Sequence, residues 1–101
     1  MFTKAPEFGV LKYKNGTIYY GYLKGSNPHG LGVERNMNGQ VYFGEWNNGL
    51  KDGHGVHEFF KSGSKFSGEF VKNERRGYIV AYYKDGSSTA GPYKNGLFFG
   101  Y

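Results

Sequence analysis

The sequence predicts an all-β fold: an elongated antiparallel meander of β-hairpins forming a single twisted open sheet. Three observations carry this expectation. Glycines recur at fixed intervals, large aromatic residues flank them two positions away on either side, and Asn-Gly or Asp-Gly dipeptides punctuate the alternating runs. No stretch has helical periodicity with caps.

The interval is the firmest of the three. Gly21, Gly44, Gly68 and Gly91 lie 23, 24 and 23 residues apart. Gly30, Gly53, Gly77 and Gly100 each follow one of them by nine, and Gly16, Gly39, Gly63 and Gly86 each precede one by five. Three series in one register mean a stacked array of a unit that cannot bury its apolar face alone.

The unit is clearest from Tyr42 to Gly55. Tyr42, Gly44 and Trp46 share one face of a strand, because i−2, i and i+2 point the same way. Asn48-Gly49 supplies the two positive-φ positions of a type I′ turn, and the chain returns through Gly53-His54-Gly55. A strand position without a side chain lets an aromatic ring lie flat over the backbone. That is the expected use of these glycines, Gly44 included.

Taken in order, residues 1–7 form a tail and residues 8–18 the second half of a unit. The first full unit, 19–41, sets Tyr19 and Leu23 around Gly21. It turns irregularly at Gly25-Ser26-Asn27-Pro28, returns through Leu31 and Val33, and closes at Asn38-Gly39. The second unit, 42–65, returns through His54 and Val56 to Ser62-Gly63. The third, 66–88, is degenerate. Phe66 and Phe70 flank Gly68, but Asn73-Glu74 stands in for the Asn-Gly turn before Tyr78, Val80 and Tyr82. A final half unit, 89–101, carries Gly91, Tyr93, Asn95-Gly96 and Gly100.

These residues resemble the MORN (membrane occupation and recognition nexus) repeats, whose unit reads roughly Tyr-x-Gly-x-Trp, Asn-Gly, His-Gly-x-Gly. Tyr42-Phe43-Gly44-Glu45-Trp46, Asn48-Gly49 and Gly53-His54-Gly55 follow it, with Asp52 where His is usual. Tyr19-Tyr20-Gly21 and His29-Gly30-Leu31-Gly32 follow it with Leu23 in place of Trp. In the third unit Ile79 replaces the second glycine. The resemblance covers residues 8–101. It implies an elongated array used as a binding surface in cytoskeletal, ciliary or membrane-junction scaffolds, or as a regulatory region attached to lipid kinases or methyltransferases. Membrane-lipid binding is proposed for some members.

Composition narrows the function classes. The chain has 101 residues, 38% hydrophobic and 20% aromatic, with 18 glycines, mean hydropathy −0.66 and a formal charge of +5. Rings rather than a thick aliphatic core must therefore supply the packing. With no cysteine there is no disulfide scaffold or thiolate metal site, which fits a reducing compartment. The first residues lack the apolar core of a signal peptide, and the longest apolar run, Tyr78 to Tyr83, is too short to span a bilayer. A cytoplasmic protein is expected, associated with cytoskeleton, cilium or a membrane surface if the resemblance holds.

Chemistry on the chain is not expected. Gly30-Leu31-Gly32 and Gly53-His54-Gly55 lack the third glycine, the Lys-Ser/Thr and the helix start of a phosphate loop. His54 and His57 fall on opposite faces of a strand, so with Glu58 they do not converge on a metal. No nucleophile elbow occurs. Asn15-Gly16-Thr17 reads as a turn rather than a glycosylation acceptor. No catalytic residue, metal or cofactor is assigned.

Two sets of residues could bind a partner. Tyr19, Tyr42, Trp46, Phe66, Phe70 and Tyr93 form an aromatic stripe, with Tyr20, Tyr22 and Phe43 on the reverse face; either face could take a helix or extended peptide. Lys61, Lys65, Lys72, Arg75 and Arg76 cluster in sequence and could meet anionic phospholipids or phosphoinositides. The expectation is a non-catalytic scaffold or adaptor that binds protein in a larger assembly. A peripheral membrane module and a regulatory fragment of a larger enzyme are the alternatives. Nucleic acid is not an expected partner. The chain closes on Leu97-Phe98-Phe99-Gly100-Tyr101 without a polar cap, so end-to-end self-association is a further expectation.

Overall fold

The computed structural model describes residues 7–99. Gly100, Tyr101 and the tail before residue 7 lie outside the described residues. Nine strands run in chain order in one antiparallel sheet: β1 (Glu7–Lys12), β2 (Ile18–Lys24), β3 (Asn27–Arg35), β4 (Gln40–Asn47), β5 (Leu50–Phe59), β6 (Ser64–Val71), β7 (Glu74–Tyr82), β8 (Ser88–Lys94) and β9 (Leu97–Phe98). No helix occurs among the described residues. The body measures 51 × 30 × 19 Å, and its radius of gyration, 14.7 Å, exceeds the roughly 13 Å of a compact domain of this length. The predicted hairpin meander is the fold.

Every neighbouring pair of strands is a hairpin, but two kinds alternate. Within a unit the turn has two residues. Asn48-Gly49 and Asn95-Gly96 have positive φ at both positions, as a type I′ turn demands. In the third unit the two positive-φ residues are Lys72 and Asn73, so the turn sits one residue earlier than the expected Asn73-Glu74, and Glu74 already opens β7. Asn tolerates the left-handed region better than Glu, which sets that register. The stretch expected as irregular, Gly25 to Pro28, is a two-residue turn as well. Gly25 carries the positive φ, and Asn27 and Pro28 already belong to β3.

Between units the connections are longer, and the dipeptides there act differently. At Asn15-Gly16, Asn38-Gly39 and Asp85-Gly86 only the glycine has positive φ. Each glycine closes a wider turn, as where Gly16 N donates to Tyr13 O (3.1 Å) and Gly86 N to Tyr83 O (3.0 Å). The same dipeptide therefore builds two turns, depending on how many residues the flanking strands leave for it.

The tight turns also join successive units. Gly49 N donates to Pro28 O (2.8 Å), Asn73 N to Lys51 O (2.9 Å) and Gly96 N to Arg75 O (3.2 Å). Each hairpin tip is thus tied to the start of the preceding return strand.

The return strands β3, β5 and β7 each carry two extra residues. Gly21 faces Gly32, yet Leu23 faces Pro28; Gly44 faces Gly55, yet Trp46 faces Lys51; Gly68 faces Ile79, yet Phe70 faces Arg75. The surplus is absorbed where Gly30, Gly53 and Gly77 take φ of 92°, 110° and 74°. This corrects one expectation: these glycines serve the bulge and do not primarily seat a ring.

The seats are Gly32 and Gly55. A Cβ on Gly32 would lie 2.4 Å from the Tyr19 ring, and one on Gly55 2.5 Å from Tyr42 Cζ. Gly21 and Gly44 act beside them. A Cβ on Gly44 would first meet Gly55 Cα and His54 O, both at 2.5 Å, and then the Tyr42 hydroxyl. The first-series glycine therefore admits the neighbouring backbone, and the glycine opposite it carries the ring.

Gly55 is not at positive φ, so a methyl there tests the seat without backbone strain. Gly55→Ala is expected to cost about 2–3 kcal/mol by overpacking. Gly77→Ala, where a Cβ meets nothing within 4 Å but φ is +74°, is expected to cost about 1 kcal/mol. Urea unfolding of both variants checks the order.

Candidate protein-docking face

The two faces of the sheet have opposite fates. On the first, Tyr19, Tyr42 and Phe70 are at most 1% exposed and Trp46 and Tyr93 are buried, with Leu11 and Leu23 packed beside them. The rings meet edge to face: Tyr19 on Trp46 at 5.3 Å, Trp46 on Tyr42 at 5.1 Å and Tyr42 on Phe70 at 5.0 Å. Trp46 Nε1 donates to Gly32 O across 3.2 Å. Tyr19 donates to Tyr22 O (2.6 Å) and Tyr42 to Glu45 O (3.0 Å), each hydroxyl reaching along its own strand. Burial pushes the Tyr19 phenol up to about 12, and Tyr42 higher still.

The third unit packs differently because Ile79 fills the place a glycine leaves open elsewhere. Ile79 is fully buried, and a Cβ on Gly68 would touch its Cδ1 at 2.7 Å. Phe66 lacks a hydroxyl and is only half-buried. Arg75 lies over it, guanidinium carbon 4.1 Å from the ring centroid and 5.6 Å from that of Tyr93, and donates to Gly96 O. Lys51 holds the equivalent place over Tyr42 at 5.5 Å.

His57 sits among these groups, 3.2 Å from Gln40 Oε1 and stacked on Phe59. Burial, then the positive charges of Lys51 and Arg75, lower its pKa to about 4. His54 is on the other face, Nε2 2.6 Å from Glu69 Oε1 and Nδ1 3.3 Å from Glu45 Oε2. The two histidines do lie on opposite faces. Among the described residues no group of three or more His, Cys, Asp or Glu side chains could hold a metal ion.

The five basic residues do not form one patch. Lys61 and Lys65 lie at the β5–β6 end of β6, whereas Lys72, Arg75 and Arg76 lie at its other end. Eight strand residues separate the two ends, roughly 25 Å. Arg75 is taken up by the ring face, while Arg76 is exposed.

The reverse face carries the exposed apolar surface. Tyr20 and Phe43 are 54% and 51% exposed and Tyr22 39%, with Phe8 edge-on to both tyrosines. Register lines up a row from β1 to β8: Val10, Tyr20, Val33, Phe43, Val56, Ser67, Val80 and Ala90, each opposite the next. Sequence reasoning named Tyr20, Tyr22 and Phe43 but missed the valines between them. Their recurrence at 10, 33, 56 and 80, in step with the glycines, is the signal that exposes the row.

The MORN repeat family model matches residues 19–41, 42–64 and 66–88 in succession. The chain belongs to the MORN repeat family. Among curated proteins, nothing matches it. Of the MORN signature, the Tyr-x-Gly-x-Trp half supplies rings and the His-Gly-x-Gly half supplies both bulge and floor: Gly30 and Gly53 bend, Gly32 and Gly55 carry.

His57 links stability to acid. Its pKa is lower folded than unfolded, so its contribution is complete above about pH 6.5 and is lost as pH falls through about 4. His57→Gln is expected to melt with a shallower fall over that interval than the wild-type chain, by an amount worth on the order of 2 kcal/mol once solvent screening of the partly exposed ring is allowed for. Thermal melts at stepped pH measure it.

Proposed function

We propose that the chain is a non-catalytic MORN-repeat module that docks protein on its reverse face, as a subunit or adaptor in a larger cytoskeletal, ciliary or membrane-associated assembly. The observation that supports this is the row from Val10 to Ala90, apolar but for Ser67, with Leu31 and Tyr78 exposed alongside at 54% and 67%. Apolar surface of this extent on a soluble sheet marks an interaction site. The buried rings leave little for a partner. Tyr19, Tyr42, Trp46, Phe70 and Tyr93 act by holding the sheet in shape, and Tyr20, Tyr22 and Phe43 offer contact.

A lipid-binding reading needs cations gathered on one surface, and the two basic groups sit at opposite margins of the sheet. They could reach a membrane only with the sheet lying flat on it.

Phe43→Asp separates the readings, because its side chain is outside the ring packing. The variant is expected to keep the wild-type melting temperature within a few degrees. It should lose, by about tenfold or more, the partners retained by immobilised wild-type chain from native extract. Flotation with phosphatidylserine vesicles should show little binding for either chain. Partners retained equally by Phe43→Asp would overturn the reading; salt-sensitive vesicle binding abolished by replacing Lys72 and Arg76 with Ala would favour the membrane alternative.

A further inference from the structure

The row just described has two flanks, and they differ in charge. On one side register aligns Lys12, Ile18, Arg35, Val41, Glu58, Lys65, Tyr82 and Ser88. On the other lie Leu31 opposite Glu45, and His54 opposite Glu69, with His54 bridging the two glutamates. The face is thus a spine with a mainly basic row on one flank and Glu45 and Glu69 in the row on the other, beyond which the hairpin ends carry Lys24, Lys72, Arg76 and Lys94.

Such a face matches itself about one axis only. We propose that two copies of this chain pack reverse face to reverse face about a two-fold axis running along the spine, giving a two-layer β-sandwich. The proposal rests on the docking reading above and names its partner. Rotation about that axis leaves each strand over its own copy and exchanges the margins. Phe43 then meets the partner's Phe43, and Val56 the partner's Val56. Glu69 faces the partner's Lys65, His54 faces the partner's Glu58, and Glu45 lies beside the partner's Arg35. Tyr22 falls on the partner's Ile18, and Tyr78 on the partner's Tyr82. A two-fold axis parallel to the strands through β5 would instead set Glu45 against the partner's Glu69, carboxylate on carboxylate.

Shape and size agree. Two sheets pack about 10 Å apart with strands within about 30° of each other. Spine residues can meet across that gap, and Lys, Arg and Glu can bridge it at the margins. A face of 51 by 30 Å has room for the roughly 800 Å² per partner of a stable interface. A single docked helix, about 10 Å wide, would cover the spine and leave both charged margins unused.

The test uses the full chain. Sedimentation and light scattering are expected to show a concentration-dependent dimer. The chain has no cysteine, so Val56→Cys places one thiol on the axis and should crosslink to dimer under mild oxidation. Ser62→Cys, at the sheet margin, should not. Glu69→Lys sets like charges together at both margins and should weaken dimerisation by about tenfold or more. Adding Lys65→Glu to it should restore the dimer. That restoration is specific to pairing between chains, because the double variant does not recover the Glu69–His54 contact. Melting temperatures confirm that each variant folds. A monomer at every concentration, equal crosslinking at positions 56 and 62, or a double variant no tighter than Glu69→Lys overturns the proposal. None of these touches the docking reading, which falls only if Phe43→Asp retains every partner of the wild-type chain.

Discussion

A ring laid on a bare backbone is the contact on which this sheet depends. Tyr19 and Tyr42 lie along their own strands, over Gly32 and Gly55 of the strand that returns beside them. With no side chain beneath them, the rings come down to the main chain and lose almost all contact with water. A Trp or Phe from the next unit then reaches across the same glycines and meets the ring edge to face. One strand supplies the ring and the next supplies the floor. This is how one layer of sheet, with no helix and no second sheet among the described residues, attains side chains at most 1% exposed, where most domains need two packed layers.

The floor imposes its own demands. A ring that tips a hydroxyl needs an acceptor, and the carbonyl three residues along supplies it, at Tyr22 and at Glu45. The return strand needs two extra residues there, so a second glycine must take positive φ. Ring, hydroxyl, bulge and floor therefore travel together in the repeat. The third unit shows the dependence from the other side. When Ile79 fills the floor, the position of the tyrosine is held by Phe66, which has no hydroxyl, and an arginine lies over it instead.

Much of this was legible in the sequence, because the cause is periodic. Glycine spacing and the flanking rings gave strand order, sheet type and the buried face. What stayed hidden depended on pairing. Which of Gly30 and Gly32 bends and which carries a ring follows from register, and both read simply as glycine. Asn38-Gly39 and Asn48-Gly49 are the same two letters in different turns. Lys61 and Arg76 look adjacent along the chain, yet one strand length holds them apart. The valines at 33, 56 and 80 looked like ordinary strand residues until pairing set them in one row with Tyr20 and Phe43.

That row follows from the packing on the other side. In a sheet whose core needs a second layer, both the inner face and its cover are fixed by the same fold, and the outer face is left polar. Here the ring face closes on itself, with Lys51 and Arg75 laid over it as a lid of aliphatic stems and charged heads. No intramolecular layer is then needed for stability, and the reverse face is released from any structural duty within the monomer. A face with no such duty would be expected to carry mixed polar residues, since exposed valine and phenylalanine gain nothing in water. Instead it holds a largely apolar spine in register with the repeat, with Lys12, Arg35 and Lys65 in the row on one side of it and Glu45 and Glu69 in the row on the other. Folding of one chain gives no reason for such a row, and the docking proposed above would.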